Sequence, residues 1–185
     1  DVRDSSYDTR DMTVQHRYIF SDKWQNTMTY RRNNTHSLIH NYYEQYNSLS
    51  TVDTHFKYQF FSDQVTYQSG RHTVVMGVDY SKANDLKART KFDDSPTWMS
   101  NTSPYIQESW KILPKVTLSG GLRYDKPKRS DDVPFDSHTS KNYKLSYAAT
   151  AKDTIYMGRS DFYILPGMFE LTDPDYGNSK LLPAY

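Results

Sequence analysis

The chain contains no cysteine in its 185 residues. Disulfides, thiolate nucleophiles and cysteine metal ligands are therefore excluded, and the redox compartment leaves no mark on the sequence. No apolar run approaches the ~20 residues that a helix needs to cross a bilayer. Charge of one sign is also missing: 23 Lys and Arg face 22 Asp and Glu, a formal charge of +1. Net charge thus calls for no nucleic acid and no acidic partner. Hydrophobic residues make up 36% and mean hydropathy is −0.89, which is polar for a globular core. The opening Asp1-Val2-Arg3-Asp4 lacks the apolar stretch of a signal peptide. Helical periodicity is weak throughout and no repeat of 20–50 residues stands out. There is no nucleophile elbow, phosphate loop or HExxH zinc motif, so neither a catalytic residue nor a resident cofactor is expected.

Aromatic residues are plentiful, at 15%, with 17 Tyr, 8 Phe and 3 Trp. Such a composition argues against disorder. The connections alternate in length. Tight turns read at Ser21-Asp22-Lys23, Ser69-Gly70-Arg71, Leu113-Pro114-Lys115 and Ala151-Lys152-Asp153. Long polar stretches read around Asn33 to Ser50, Lys82 to Ser103, Lys126 to Asn142 and Asp161 to Tyr185. Short turns at one end and long loops at the other are the layout of an all-β, antiparallel, up-and-down transmembrane β-barrel. In such a wall only alternate residues need be apolar, which reconciles low hydropathy with many aromatics.

About eight strands are expected. In Val116 to Asp125, Val116, Leu118, Gly120, Leu122 and Tyr124 alternate with Thr117, Ser119, Gly121, Arg123 and Asp125. This period of two puts Arg123 and Asp125 on the lumen face and Tyr124 on the outer one. The partner strand, Tyr105 to Ile112, places Glu108 on the face of Ile106 and Trp110, a flaw that a rim position or a bulge would relieve. Met12 to Phe20 pairs with Trp24 to Arg32, with Phe20 and Trp24 flanking the turn where an aromatic girdle belongs. Tyr30 lies about 20 Å further along the strand. Val52 to Tyr67 pairs with His72 to Tyr80. A bulge near Phe60-Phe61 would reconcile the phase of Phe56, Tyr58 and Phe60 with that of Phe61, Val65 and Tyr67. Tyr143 to Ala149 and Thr154 to Ser160 form the last hairpin.

These segments resemble the barrel of TonB-dependent outer-membrane receptors. Gln107-Glu108-Ser109-Trp110 resembles that family's QDEW, and Gly121-Leu122-Arg123-Tyr124-Asp125 reproduces its GLRYD. His72 to Tyr80 resembles its HTLxxGxDY strand. Tyr163-Ile164-Leu165-Pro166 resembles its FRAP element, and Gly177-Asn178-Ser179-Lys180-Leu181-Leu182-Pro183 its GNPxLKP element. Before His72 the match rests on hairpin pattern alone. The resemblance implies an importer in the outer membrane, in contact with its lipid, which takes up a metal chelate such as a siderophore, cobalamin or haem. It also implies contact with the TonB complex through a plug domain. No plug, TonB box or closing terminal strand is read here. A chain of about eight strands would be roughly a third of a 22-stranded wall. The expectation is therefore a piece of a longer receptor, with an autonomous eight-stranded outer-membrane barrel, structural or enzymatic, as the alternative. A soluble β-sandwich or ligand-binding barrel also stays open, since periodicity does not say which face is inside.

Loop aromatics are the candidate ligand contacts: Tyr42, Tyr43, Trp98, Tyr163, Phe169 and Tyr176, with Tyr46 and Phe135 nearby in character. Interface anchoring and loop packing compete for each. His36 and His40, close to Tyr42 and Tyr43, could ligate haem iron or a metal chelate, against the simpler reading of solvated residues. The family's haem receptors carry a His between the FRAP and GNPxLKP elements; none lies between Pro166 and Gly177, which weighs against haem. Asp93-Asp94, Asp131-Asp132 and Asp173-Pro174-Asp175 could meet calcium but lack EF-hand spacing, and loop solvation is favoured. No metal site is assigned to them.

Overall fold

The computed structural model describes residues 2–43, 48–85, 98–130, 135–167, 170–171, 178 and 180–184. Eight strands run in chain order: β1 (Val2–Ser21), β2 (Trp24–Tyr43), β3 (Ser48–Ser69), β4 (His72–Asp85), β5 (Trp98–Leu113), β6 (Val116–Arg129), β7 (His138–Ala148) and β8 (Thr154–Ser160). They form one antiparallel meander in the order β1-β2-β3-β4-β5-β6-β7-β8. Among the described residues β1 and β8 are its edges, and the sheet is not closed. No helix among them is long and apolar enough to cross a membrane.

All four tight turns join the strands expected of them. Two-residue turns occupy Asp22-Lys23, Gly70-Arg71 and Pro114-Lys115. Gly70 adopts φ +56°, the left-handed conformation that favours glycine. In the fourth connection the Thr150 hydroxyl accepts the Lys152 and Asp153 amides at 3.1 and 3.0 Å.

The strands outrun the sequence reading. The stretch around Asn33 to Ser50 is strand up to Tyr43 and again from Ser48, and β1 starts ten residues before Met12, at Val2. Lys82 to Asp85 and Trp98 to Ser103 are likewise strand, as are Lys126 to Arg129 and His138 to Asn142. About 9–11 residues suffice to cross a bilayer. The remainder of each long strand carries polar residues on both faces among scattered apolar ones such as Leu38, Ile39 and Val52, so the alternation that announces a strand fades there. The bulge expected near Phe60-Phe61 is absent: the register runs unbroken from Phe56 to Ser69 against β4. Phe61 faces Tyr30 and Tyr80, while Phe60 lies on the other side under Arg31, whose guanidinium carbon is 5.8 Å from the ring centroid. Irregularities fall instead beside turns, between Ile19 and Ser21 and between Lys111 and Leu113.

Register carries one alternation across the wall, because paired residues share a face. A row runs through Tyr18, Asn26, Val65, Met76, Ile106 and Leu122. Many large apolar side chains of this face, among them Val14, Trp24, Met28, Phe61, Leu118 and Met157, are exposed. The opposite face carries Thr27, Gln64, Gly77, Tyr105, Arg123 and Ser140 in one row. Apolar exterior and polar interior are inverted relative to a water-soluble domain. An aromatic girdle stands at the turn end: Trp24 packs on Tyr67 at 4.5 Å and Tyr18 meets Phe20 edge-on at 4.8 Å.

Two polar pairs interrupt the apolar face. Asn26 donates to Asp63 at 2.5 Å and to the Gln64 carbonyl at 3.2 Å. Glu108 meets His72 Nδ1 at 2.7 Å, with Trp110 stacked on the imidazole at 5.4 Å. His72 is the first residue after the Gly70 turn, so Glu108 sits near the rim and no bulge is needed.

Candidate functional site

The polar face of β4, β5 and β6 carries a hydrogen-bonded network. Arg123 donates Nη1 to Asp79 at 2.7 Å and Nε to Asp125 at 3.2 Å. Asp125, 4% exposed, also accepts the Ser103 hydroxyl at 2.6 Å and the Asn101 amide at 2.8 Å. All three donors converge on its Oδ1, so the buried charge is met by hydrogen bonds within the protein. One guanidinium serves two carboxylates across three strands. The residues Arg123 and Asp125 of the GLRYD sequence thus link β4, β5 and β6 through their side chains.

Glycine makes room for the next layer. Tyr105 lies across Gly77 and donates its hydroxyl to Gln64 at 3.1 Å. A Cβ at Gly77 would stand 2.5 Å from the Asp63 carbonyl oxygen and 2.8 Å from the Tyr105 hydroxyl oxygen. The Arg123 guanidinium carbon approaches the Tyr105 ring centroid at 5.9 Å.

At the long-connection end this face is covered. Met99, Phe135 and Leu171 are the buried large apolar side chains of the described residues, joined by Phe56, Ala83 and Leu165. Phe56, Ala83 and Met99 belong to β3, β4 and β5 on the polar face, whereas Leu165 and Leu171 follow β8. The chain past β8 therefore folds back over the wall. A single turn aims Leu171 inward: the Glu170 carboxylate accepts the Gly167 amide at 2.8 Å, and Leu171 N–H reaches the Gly167 carbonyl at 3.2 Å. Arg129, buried, places its guanidinium carbon 4.7 Å from the Phe135 ring centroid.

The two late motifs meet each other in this cover. Ile164 and Ala184 exchange two backbone hydrogen bonds of 3.0 Å. Pro166 and Pro183 are both buried. Asn178 accepts the Lys180 amide through its side chain at 3.0 Å and donates its own amide to the Glu170 carbonyl at 2.8 Å.

The candidate ligand residues do not form one cluster. Tyr163 stacks on His138 with centroids 5.1 Å apart and donates to the Asp136 carbonyl at 2.8 Å, so it ties the cover to the start of β7. Trp98 opens β5 on the apolar face, where the Lys82 ammonium lies 5.1 Å from its ring. Tyr42 and Tyr43 end β2, paired with Leu49 and Ser48, rather than lying in a loop. Phe169, Tyr176 and Gly177 lie outside the described residues, as do Tyr46 and the acidic groups Asp93-Asp94, Asp131-Asp132 and Asp173-Asp175. Phe135 is a packing residue of the covered cluster. Trp110 and Tyr124 stand on the apolar face, opposite in direction to Arg123 and Asp125. Sequence reasoning missed the Asp79–Arg123 pair. Both residues lay in motif-like strands, but only the strand order brings them together.

Eight up-and-down strands with an apolar outside and a networked polar inside define a β-barrel wall. The sequence matches the family described as TonB dependent receptor-like, beta-barrel, over residues 1–184, and the chain belongs to that family. Among solved structures, one titled Copper transporter OprC shares the fold, with a TM-score of 0.74 at 14% identity. That match covers 89% of this chain and 30% of the other, so the chain spans under a third of that protein's length. No curated protein sequence matches it.

Proposed function

We propose that the chain is an eight-stranded arc in the wall of an outer-membrane, TonB-dependent importer for a metal chelate. The observation that carries this reading is the inverted wall. Exposed Trp24, Met28, Ile106 and Leu122 suit lipid, while Asp79, Arg123 and Asp125 form a networked polar lining on the other side. Among the described residues the edge strands β1 and β8 have no pairing partner, which supports an arc over a small closed barrel, because hydrocarbon leaves no partner for an open edge. Family membership supports uptake as the activity and a plug domain elsewhere in the receptor as the contact with TonB. It also supports transport over catalysis. The cargo contacts are drawn from Tyr42, Tyr43, Trp98 and Tyr163 at the long-connection end and from the described cover after β8, with Phe169 and Tyr176 as further candidates. Siderophore, cobalamin and haem are the chelate classes that suit such a receptor.

Uptake of a labelled ferric siderophore, cobalamin and haem by cells with and without the full receptor decides the matter. Loss of one chelate class on deleting the receptor, and equally on deleting TonB, is the expected outcome. Unchanged uptake of all three would overturn the cargo. An immunoblot of the outer-membrane fraction tests the arc: the expected band is several times heavier than the chain's 21.7 kDa.

A further inference from the structure

On the face opposite the covered cluster, the tall end of β2 and β3 carries a second group of polar residues, beside Phe56 in sequence. His36 pairs with His55 and Leu38 with Asp53, which places His36, Asp53 and His55 on one face of two neighbouring strands. His36 Nε2 lies 2.9 Å from Asp53 Oδ1, and His55 Nε2 lies 3.4 Å from the same oxygen. The two imidazoles stack with centroids 4.0 Å apart and 17° between planes. One donor atom from each of the three residues falls within 4.8 Å of the others. The face is the one that bears Tyr30 and Phe61. His36 is six residues beyond Tyr30, about 20 Å along the strand. The cluster therefore stands clear of the apolar band, and its side chains are 43, 21 and 35% exposed for His36, Asp53 and His55.

We propose that His36, Asp53 and His55 form a binding site for a divalent transition-metal ion of the Zn2+ type, on the outer surface of the tall β2–β3 hairpin. Two imidazole nitrogens and one carboxylate oxygen make a three-ligand zinc set that leaves one position open. Ligands 2.0–2.1 Å from a tetrahedral ion stand about 3.3 Å from one another. The 2.9 and 3.4 Å separations already approach that edge, so a small opening admits the ion. Imidazole donors select such metals over Ca2+ and Mg2+, which take oxygen ligands. Neighbouring register positions add donors on the same face. Asp8 of β1 pairs with His36, while His40 pairs with Asp4 on one side and Thr51 on the other. This site faces away from the polar lining and does not depend on the cargo.

The test is a titration of the full-length protein in detergent with Co2+, followed by Zn2+ and Ca2+. The expected result is the visible absorption of tetrahedral Co2+, displaced by Zn2+ and not by Ca2+. His36→Ala and His55→Ala should each weaken Zn2+ binding at least about tenfold, since loss of even an outer partner does as much. Asp53→Asn should weaken it while keeping a hydrogen-bonding side chain. Heat-modifiable mobility on gels checks that each variant is folded, and His36→Gln replaces any that is not. Equal Zn2+ affinity in wild type and the double His36→Ala/His55→Ala variant, or displacement of Co2+ by Ca2+, would overturn the site. Neither result bears on uptake.

Discussion

The wall has two unlike halves. Strands β1 to β3 are 20, 20 and 22 residues long, and the polar face of β1 and β2 carries scattered surface pairs. Arg17 donates to Gln25 at 2.6 Å, Asn33 to Asp11 at 2.6 Å and Gln15 to Thr29 at 3.2 Å. Strands β4 to β6 are shorter, at 14, 16 and 14 residues, yet their polar face holds a buried network and a covering segment. The difference is one of solvent. In the first half the pairs Arg17–Gln25 and Asn33–Asp11 are exposed, so water is a second partner for them, although Asn26, Thr29 and Ser37 of β2 are buried. In the second half Asp125 and Ser103 are shielded, and each must find its partner within the protein.

Substitutions sharpen or break that contrast. Asp125→Ala has the largest expected effect. It strands Ser103, Asn101 and half of Arg123 in a shielded site, and should cost about 3 kcal/mol of unfolding free energy in urea titrations of the refolded receptor. Leu171→Ala comes next, at about 2 kcal/mol, because it empties the centre of the covered cluster. Its signature is local: proteolysis within the segment after β8 should accelerate while the midpoint for the wall stays put. Asn33→Ala in the tall half should stay within about 0.5 kcal/mol. If Asp125→Ala and Asn33→Ala proved equally mild, the contrast between the halves would fall.

What the sequence disclosed follows the same division. Strand existence was readable wherever one face meets an apolar medium and the other does not, as in Val116 to Asp125. It failed where both faces are wet: the first nine residues of β1, from Val2 to Arg10, carry no alternation, and were legible only as polar chain. Phe60 and Phe61 misled because aromatics occur on both faces. Phe61 belongs to the apolar exterior, whereas Phe56 joins a cluster built from residues more than a hundred positions away, such as Leu171. The motif residues Arg123 and Asp125 were assigned to the correct face, but their partners Asp79 and Ser103 depend on strand order. Of the zinc-type cluster, the sequence pattern singles out only His36. His55 and Asp53 came into reach only through a register that the loop reading of Asn33 to Ser50 had removed.

The exchange of hydrogen bonds between Ile164 and Ala184 has a topological consequence. It closes the chain on itself, so the stretch from 164 to 184 leaves one base and returns to it. Leu165 and Leu171, between the two ends, pack against Phe56, Ala83 and Met99, so the bridge fixes the base of a segment that also docks on the wall. Closing such a loop costs entropy that grows slowly with length, by about 0.6 kcal/mol per doubling, which the packing of Leu171 offsets.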